Sequence, residues 1–307
     1  MKTYSLAVAW NWEFDQEFVA GIEHECQKMG LSTYRIDPHN LGDTLEKLAA
    51  GKVAFQTFYD RASDADPLFL PLVQAMQESA LFLINPRLKV LHAIDKATMH
   101  LEFITHGLHV PHTIILPPYH EQRALSLTMP ELQRLGIPFV IKPANTTGGG
   151  TGVVLNAATV GDVMEARQLH KNDKYLLQEF IVPRNFDGKR GWFRVYRAFE
   201  EIIPCWWDDQ THRYTGLTPQ EERQFNLGEL RRVMETISGV CGLDFFSSEI
   251  AVTETSKCVV VDYVNEVCDM RLQSKYDNGA PDAIVHRIEG LIASEVASRV
   301  KQFVHAG

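Results

Sequence analysis

The chain has 307 residues, enough for two or three small domains that each bury a core. Its 45% hydrophobic and 22% charged residues are an ordinary globular composition, so neither a disordered nor a fibrous class is indicated. A net charge of −9 repels phosphate backbones and speaks against nonspecific nucleic-acid binding, and no apolar run approaches the ~20 residues that span a membrane.

The first eighty-odd residues alternate strands with helices. Strands are expected over 5–9, 31–36, 53–58 and 81–84, and amphipathic helices over 15–29, 41–50 and 67–78. Short links between them imply a parallel sheet covered on both faces. Ligands of such sheets lie beyond the carboxyl ends of the strands. That makes Trp10-Asn11-Trp12 and Tyr59-Asp60-Arg61 candidate substrate contacts, or else ordinary loop residues. Asn85-Pro86 breaks the alternation. Residues 95–107 then read as a helix with Asp95 as N-cap and Gly107 past its end. Lys96 in the first turn opposes the helix dipole, which suggests a task such as holding a phosphate. His106, His109 and His112 straddle a helix end and a turn, so they do not share a face and do not read as a metal site.

A strand over 110–116 leads into a small inserted unit. There, Thr159 and Asp162 form a capping-box start for a helix ending near His170. Strands follow over 175–181 and 192–199, then a helix over 227–239. Two strands over 245–252 and 258–265 form a hairpin, and a closing amphipathic helix over 281–303 would cover a sheet with Ile284, Ile288, Leu291, Ile292 and Val296. The five cysteines are odd in number and contain no Cys-x-x-Cys pair, so neither a disulfide framework nor a thiolate zinc site is suggested. The N-terminus has too short an apolar stretch for a secretory signal, and a cytoplasmic protein is expected.

The most informative stretch runs from Pro138 to Leu155. Two β-branched runs, at 139–141 and 153–155, flank Asn145, Thr146, Thr147, Gly148, Gly149, Gly150, Thr151 and Gly152. Glycine lets the backbone approach a ligand and aim several N–H groups at one anion. Threonine hydroxyls add donors, and Lys142 at the end of the first strand adds a full charge. The combination suits a polyphosphate; a glycine-rich hairpin tip that binds nothing is the plain alternative. A P-loop is excluded because no lysine follows Thr151-Gly152, and a dinucleotide fingerprint because a strand follows the glycines.

Asp262 lies inside the apolar run Val259-Val-Val-Asp-Tyr-Val264, where a carboxylate must be paired, protonated or bound to metal. Glu249 sits on the partner strand and Asn265 three residues past Asp262. These oxygen donors suit Mg²⁺ or Mn²⁺ shared with nucleotide phosphates. Residues three apart on a strand face opposite ways, so Asp262 and Asn265 converge only through a bulge or at the strand end. A buried ion pair with an arginine such as Arg271 is the other reading.

In this order the parts resemble the ATP-grasp superfamily over essentially the whole chain. They are a parallel-sheet domain, Asp95-Lys96, Val-Ile-Lys142-Pro with its glycine loop, Gln178-Glu179-Phe180-Ile181, a strand carrying Arg194, and Glu249, Asp262 and Asn265. The hinge and the Gly242-Leu-Asp approach to Glu249 are most similar to glutathione-synthetase-like and ribosomal-protein glutamate ligases. The resemblance implies an α/β architecture: a pre-ATP-grasp domain over 1–86, a lobe with the glycine lid over 87–181, and a metal-bearing lobe over 182–307. It implies that Lys96, Lys142 and the lid residues Thr147, Gly148, Gly149, Gly150 and Thr151 hold ATP phosphates. Adenine would lie against the Gln178–Ile181 backbone, Phe180 included, and Glu249, Asp262 and Asn265 would hold Mg²⁺, with Mn²⁺ as a substitute. Arg194 would face the reacting phosphate.

Three departures stand out. Asp262 and Asn265 are three apart where the family has two, and Trp192 replaces an acid two residues before Arg194, which would pass the ribose contact to Asp187. Beyond Asn265 the chain reads Glu266-Val-Cys-Asp-Met-Arg271 instead of a small glycine-containing loop, so the acceptor pocket is its own, with Arg271 as its carboxylate clamp. The resemblance implies an ADP-forming carboxylate–amine ligase acting on a small molecule or peptide, with no nucleic-acid or membrane partner and with room for a homo-oligomer. A kinase of the same fold and a catalytically silent ATP-binding protein are the rivals.

Overall fold

The computed structural model describes residues 1–79, 81–125, 127–146 and 150–305. The N-terminal sheet is wholly parallel in the order β2-β1-β3-β4, with β1 at Lys2–Trp10, β2 at Thr33–Ile36, β3 at Val53–Arg61 and β4 at Phe82–Ile84. Helices α1 (Gln16–Lys28), α2 (Leu41–Ala49) and α3 (Leu70–Gln77) connect the strands. In α1, Phe18, Val19, Ile22 and Cys26 recur at helical spacing and are fully buried. After β4, Asn85 joins the sheet to the later half of the chain. Its amide donates to the Phe245 carbonyl (2.6 Å) and accepts from the Asp244 and Phe245 N–H groups (2.8 and 3.1 Å).

Helices α4 (Arg87–Ile94) and α5 (Lys96–Thr105) follow, the first without a signal in the sequence. Asp95 caps α5 as expected, accepting from the N–H groups of Ala97 (2.9 Å) and Thr98 (3.0 Å). A second sheet has the order β5-β8-β6-β7, from β5 (Thr113–Leu116), β6 (Phe139–Pro143), β7 (Val154–Ala157) and β8 (Tyr175–Glu179), all antiparallel neighbours. Helices α6 (Met129–Leu135) and α7 (Val160–Ala166) accompany it. The Thr159–Asp162 capping box is present, but α7 ends at Ala166 rather than near His170. There Arg167 turns inward and donates to the carbonyls of Pro117 (2.8 Å) and Gln122 (2.7 Å).

The short hairpin β9 (Asn185–Phe186) and β10 (Lys189–Arg190) precedes a third large sheet. That sheet is antiparallel in the order β13-β12-β11-β14-β15, from β11 (Trp192–Ala198), β12 (Glu201–Asp208), β13 (Arg213–Gly216), β14 (Phe245–Val252) and β15 (Cys258–Asn265). Helices α8 (Pro219–Gln224) and α9 (Glu229–Cys241) lie between β13 and β14. The closing helix α10 (Asp282–His305) buries Ile288, Ile292 and Val296 in one core with α1, β1 and β11. A Cβ on Gly21 of α1 would lie 2.1 Å from the Glu289 carboxylate, so a larger residue there would push that side chain aside. No helix among the described residues is long and apolar enough to cross a membrane. The cysteines are all buried and unbridged.

Candidate active site

Two lysines from different elements approach the metal-strand candidate Asp262. Lys96 opens α5, where its backbone N–H donates to the Ala144 carbonyl just past β6 (3.1 Å), and its Nζ lies 3.8 Å from Asp262 Oδ1. Lys142, on β6, is buried, and its Nζ donates to the Val261 carbonyl at 2.8 Å. Burial pushes the Lys142 ammonium down to about 8, assisted by Lys96 and opposed by Asp262 and Glu249. For Asp262, burial pushes upward, but Lys96, Lys142 and Arg194 outweigh it and hold the carboxyl below its ordinary value.

The strand pair carrying the acids is bulged. Ser247 pairs with Asn265, Glu249 with Asp262 and Ile250 with Val260, so β15 gains one residue in each interval. The first extra residue lies between Asp262 and Asn265, where their spacing called for a bulge or a strand end. The second frees the Val261 carbonyl that Lys142 uses. Arg194 faces Glu249 directly across β11 and β14 and is ion-paired with its Oε1, while Trp192 Nε1 donates to Glu249 Oε2 (3.1 Å). With the Asn265 amide nitrogen donating to the Val267 carbonyl (3.0 Å), its oxygen accepts from Arg194 Nη1 (3.2 Å). Burial works against the Arg194 charge, but Glu249, Tyr214 and Tyr196 more than offset it and raise its pKa. Trp192 therefore stands on Glu249, at the position where the family places an acid.

The lid begins in a clasp that the sequence did not disclose. Buried Asp173 accepts from the N–H groups of Asn145 (2.9 Å) and Thr146 (3.1 Å), the Asn145 amide (2.9 Å) and the Thr146 hydroxyl (2.9 Å). The Thr146 hydroxyl, expected among the phosphate donors, is thus engaged elsewhere. Thr147, Gly148 and Gly149 lie outside the described residues. Gly150 and Thr151 are exposed; Gly150 has φ +81°, and Gly152 has φ +76° against Pro143 and His170.

On the hinge strand, Gln178 is buried and Glu179 is partly covered. The Glu179 N–H is already committed to the His112 carbonyl (2.9 Å), and its carboxylate accepts from the His112 N–H (2.8 Å). Glu179 can therefore offer a ligand its carbonyl but not its N–H. Phe180 is exposed, and Ile181 packs partly buried against the core shared by α1 and α10. Asp187 is not brought to the other candidates. It forms the exposed β9–β10 turn with Gly188, both at positive φ as a tight hairpin demands, and its carboxylate accepts from Gln224 (3.4 Å).

On the far side of the cleft, several expected substrate contacts are structural. Arg61 is fully buried; it forks onto Asp15 (2.9 and 2.6 Å) and donates to the Tyr59 hydroxyl (2.9 Å) and the Cys268 carbonyl (2.9 Å). Asp60 accepts from the Ala62 and Ser63 N–H groups (3.0 and 3.1 Å). Trp10 Nε1 is buried without a partner. The Arg271 fork is engaged by Asp269, through Nε (3.0 Å) and Nη2 (2.6 Å), and its guanidinium lies 5.5 Å from the Trp12 ring, 5.8 Å from Phe14 and 5.4 Å from Tyr276. It thus straps the segment after β1 to residues 269–276. Glu266, overlooked in the sequence, is pushed up to about 7 by burial, with Asp64 and Asp262 adding to the shift and Lys96 opposing it.

Glu249, Asp262 and Asn265 offer oxygen donors only, and Asp262 is held ionised, as a ligand to a hard cation must be. Among the described residues no three His, Cys, Asp or Glu side chains are placed to hold a metal by themselves. Two carboxylates and an amide fit Mg²⁺ completed by phosphate oxygens.

The sequence matches no protein-family model and no curated protein. Solved structures do match over nearly the whole chain. Macrocyclase MdnC bound with precursor peptide MdnA, from Microcystis aeruginosa, is 14% identical with a TM-score of 0.65, covering 96% of this chain and 99% of its own. A RimK domain ATP-grasp protein from Sphaerobacter thermophilus is 17% identical with a TM-score of 0.65, over 94% and 98%. D-alanine–D-alanine ligase from Bacillus anthracis, complexed with ATP, is 13% identical with a TM-score of 0.63, over 98% and 99%. The parallel N-terminal sheet, the two large antiparallel sheets and these likenesses together establish that the chain has the ATP-grasp fold.

Proposed function

We propose that this protein is an ADP-forming, ATP-dependent ligase that joins a carboxylate to an amine. The observation that carries the reading is the meeting of Lys96 and Lys142 at the bulged strand bearing Asp262, with Arg194 paired to Glu249 on the adjoining strands. Lys142 and Lys96 bind the ATP phosphates, and the lid with Gly150 and Thr151 covers them. The hinge at Gln178–Ile181 receives adenine, with the Glu179 carbonyl as an acceptor. Asp187 keeps the proposed ribose contact only if its hairpin bends toward the nucleotide. Glu249, Asp262 and Asn265 hold Mg²⁺, or Mn²⁺ in its place, and the ion supplies charge neutralisation of the phosphate oxygens.

In the chemical step a substrate carboxylate oxygen bonds to the γ-phosphorus as the bond to ADP breaks, giving an acyl phosphate. The amine then attacks the acyl carbon and loses a proton, and phosphate departs with the bonding pair. Arg194, lying between Glu249 and Asn265, offsets the oxyanion charge that develops at the carbonyl. Arg271 receives the substrate carboxylate once Asp269 yields part of the fork. The reading also places the protein in the cytoplasm as a soluble enzyme.

The test is to incubate purified protein with Mg-ATP and pooled carboxylates and amines. Release of both ADP and phosphate, with an amide product, supports the ligase. ADP with a phosphorylated product and no free phosphate would make it a kinase, and release of neither would make it a silent nucleotide binder.

A further inference from the structure

Between Asp262 and Asn265, β15 carries one residue more than its partner strand and absorbs it as a bulge. Tyr263 lies in that interval and is fully buried. Its ring is 5.7 Å beneath Lys142 Nζ, stacks on His100 at 5.9 Å and meets the edge of Phe103 at 5.3 Å. Its hydroxyl accepts from Gln178 Nε2 (2.8 Å), and that nitrogen also donates to Thr113 Oγ1 (3.0 Å). The hydroxyl lies 2.6 Å from His100 Nδ1. Burial, with Lys142 and His112, pushes the His100 imidazolium down to about 4, so the ring is neutral near pH 7. With Gln178 donating to it, the Tyr263 hydroxyl keeps its proton and donates a hydrogen bond to His100 Nδ1, with His100 as the neutral Nε2–H tautomer.

We propose that Tyr263 is a positioning residue that pre-aims Lys142 at the nucleotide phosphates, a role that rests on reading this cleft as an ATP site. The lysine is held by two groups of one strand, the Val261 carbonyl and the Tyr263 ring. The chain from Gln178 to Tyr263 to His100 fixes that ring from two separate elements, since Gln178 belongs to β8 and His100 to α5. A long, flexible ammonium side chain would otherwise lose rotamer freedom on binding ATP. Here the cost is met during folding.

The test is a double-mutant cycle on the full chain, with Mg-ATP affinity read by calorimetry and folding by thermal melts. Tyr263→Phe removes only the hydroxyl and should weaken Mg-ATP binding by about fivefold. Tyr263→Leu removes the ring as well and should weaken it by roughly tenfold or more. In a Lys142→Met background neither substitution should weaken binding further, because both act through the lysine. Losses that simply add to that of Lys142→Met would overturn the proposal, as would wild-type affinity in a folded Tyr263→Phe protein. A wild-type protein that binds no Mg-ATP would remove the nucleotide reading itself, whereas additive losses in a protein that does bind it sink only the role of Tyr263.

Discussion

Asp262 and Glu266 are four residues apart on one strand and its exit, yet their surroundings push them in opposite directions. Asp262 is surrounded by Lys96, Lys142 and Arg194 and is held below its ordinary value. Glu266 is raised to about 7 by burial, with Asp64 and Asp262 adding to the shift and a backbone hydrogen bond and Lys96 opposing it. On the side proposed for the nucleotide, cations are thus brought in from separate elements, an arrangement that suits phosphate. On the acceptor side the charges are largely consumed internally: Arg61 by Asp15, and Arg271 by Asp269 and three rings. General ATP chemistry needs the first arrangement whatever the substrate. In the proposed reading, the second is where a particular substrate must displace something.

The largest effect should come from the nucleotide side. Asp262→Asn removes a ligand charge while preserving shape, and should lower kcat by at least about a hundredfold. Circular dichroism should stay near that of the parent, while the melting temperature should fall because three cations lose their counter-charge. Full Mg²⁺-dependent turnover in the variant would dissociate the bulged strand from catalysis.

Next in size is Lys142. Lys142→Met should weaken Mg-ATP binding by roughly 10- to 100-fold, the worth of hydrogen bonds to a charged partner. In the parent, the same affinity should fall as pH rises through about 8, because the free protein's Lys142 then loses the proton that phosphate needs. The variant should lack that inflection. The sign for stability is opposite. The unfolded lysine keeps its proton to about 10.4, so between 8 and that value the unfolded chain binds more protons, and this group's contribution to stability rises with pH. An inflection that persists in Lys142→Met belongs to another group.

Legibility did not follow that division. The parallel domain announced itself through strand–helix alternation, and the strands at Phe245–Val252 and Cys258–Asn265 were readable to the residue because a polar turn around Glu254–Lys257 separates them. The spacing of Asp262 and Asn265 called for a bulge, and β15 has it. What could not be read depends on distant partners. Nothing local in Asp173 marks it as the carboxylate that gathers Asn145 and Thr146. Strand β12 was hidden by Pro204, which argues against a central strand. It is tolerated because β13 begins pairing only at Cys205, so the ladder on that side asks no N–H of Pro204. Arg61 looked like a substrate contact because it ends a parallel strand. Its actual partners, Asp15 and Cys268, come from opposite ends of the chain.

On the acceptor side the effects should be smaller. Arginine's planar fork serves Asp269 and a substrate carboxylate alike, and lysine reproduces neither geometry. Arg271→Lys should raise KM for the carboxylate substrate by about tenfold while ATP affinity changes little. If the variant merely melts earlier with KM intact, Arg271 is only the strap joining residues 269–276 to Trp12 and Phe14.

The smallest effect is thermal and tests the contrast directly, in protein free of metal and nucleotide. An unfolded glutamate titrates near 4.3, whereas Glu266 in the folded chain titrates at about 7. Between those values the folded state keeps a proton that the unfolded state has shed. The stabilising contribution of Glu266 is therefore complete below the unfolded value and is lost as pH rises through about 7, where a buried carboxylate with too little positive charge around it remains. Glu266→Gln keeps the shape and removes the charge. It should raise the melting temperature by about 2–4 °C at pH 8 and leave it nearly unchanged at pH 5. Asp262→Asn should not share this pattern, because Asp262 is held ionised by its cations and its removal leaves Lys96, Lys142 and Arg194 facing one another. Equal pH dependence in the two variants would mean that the cations serve both carboxyls alike, and the division of the cleft into two electrostatic halves would fall.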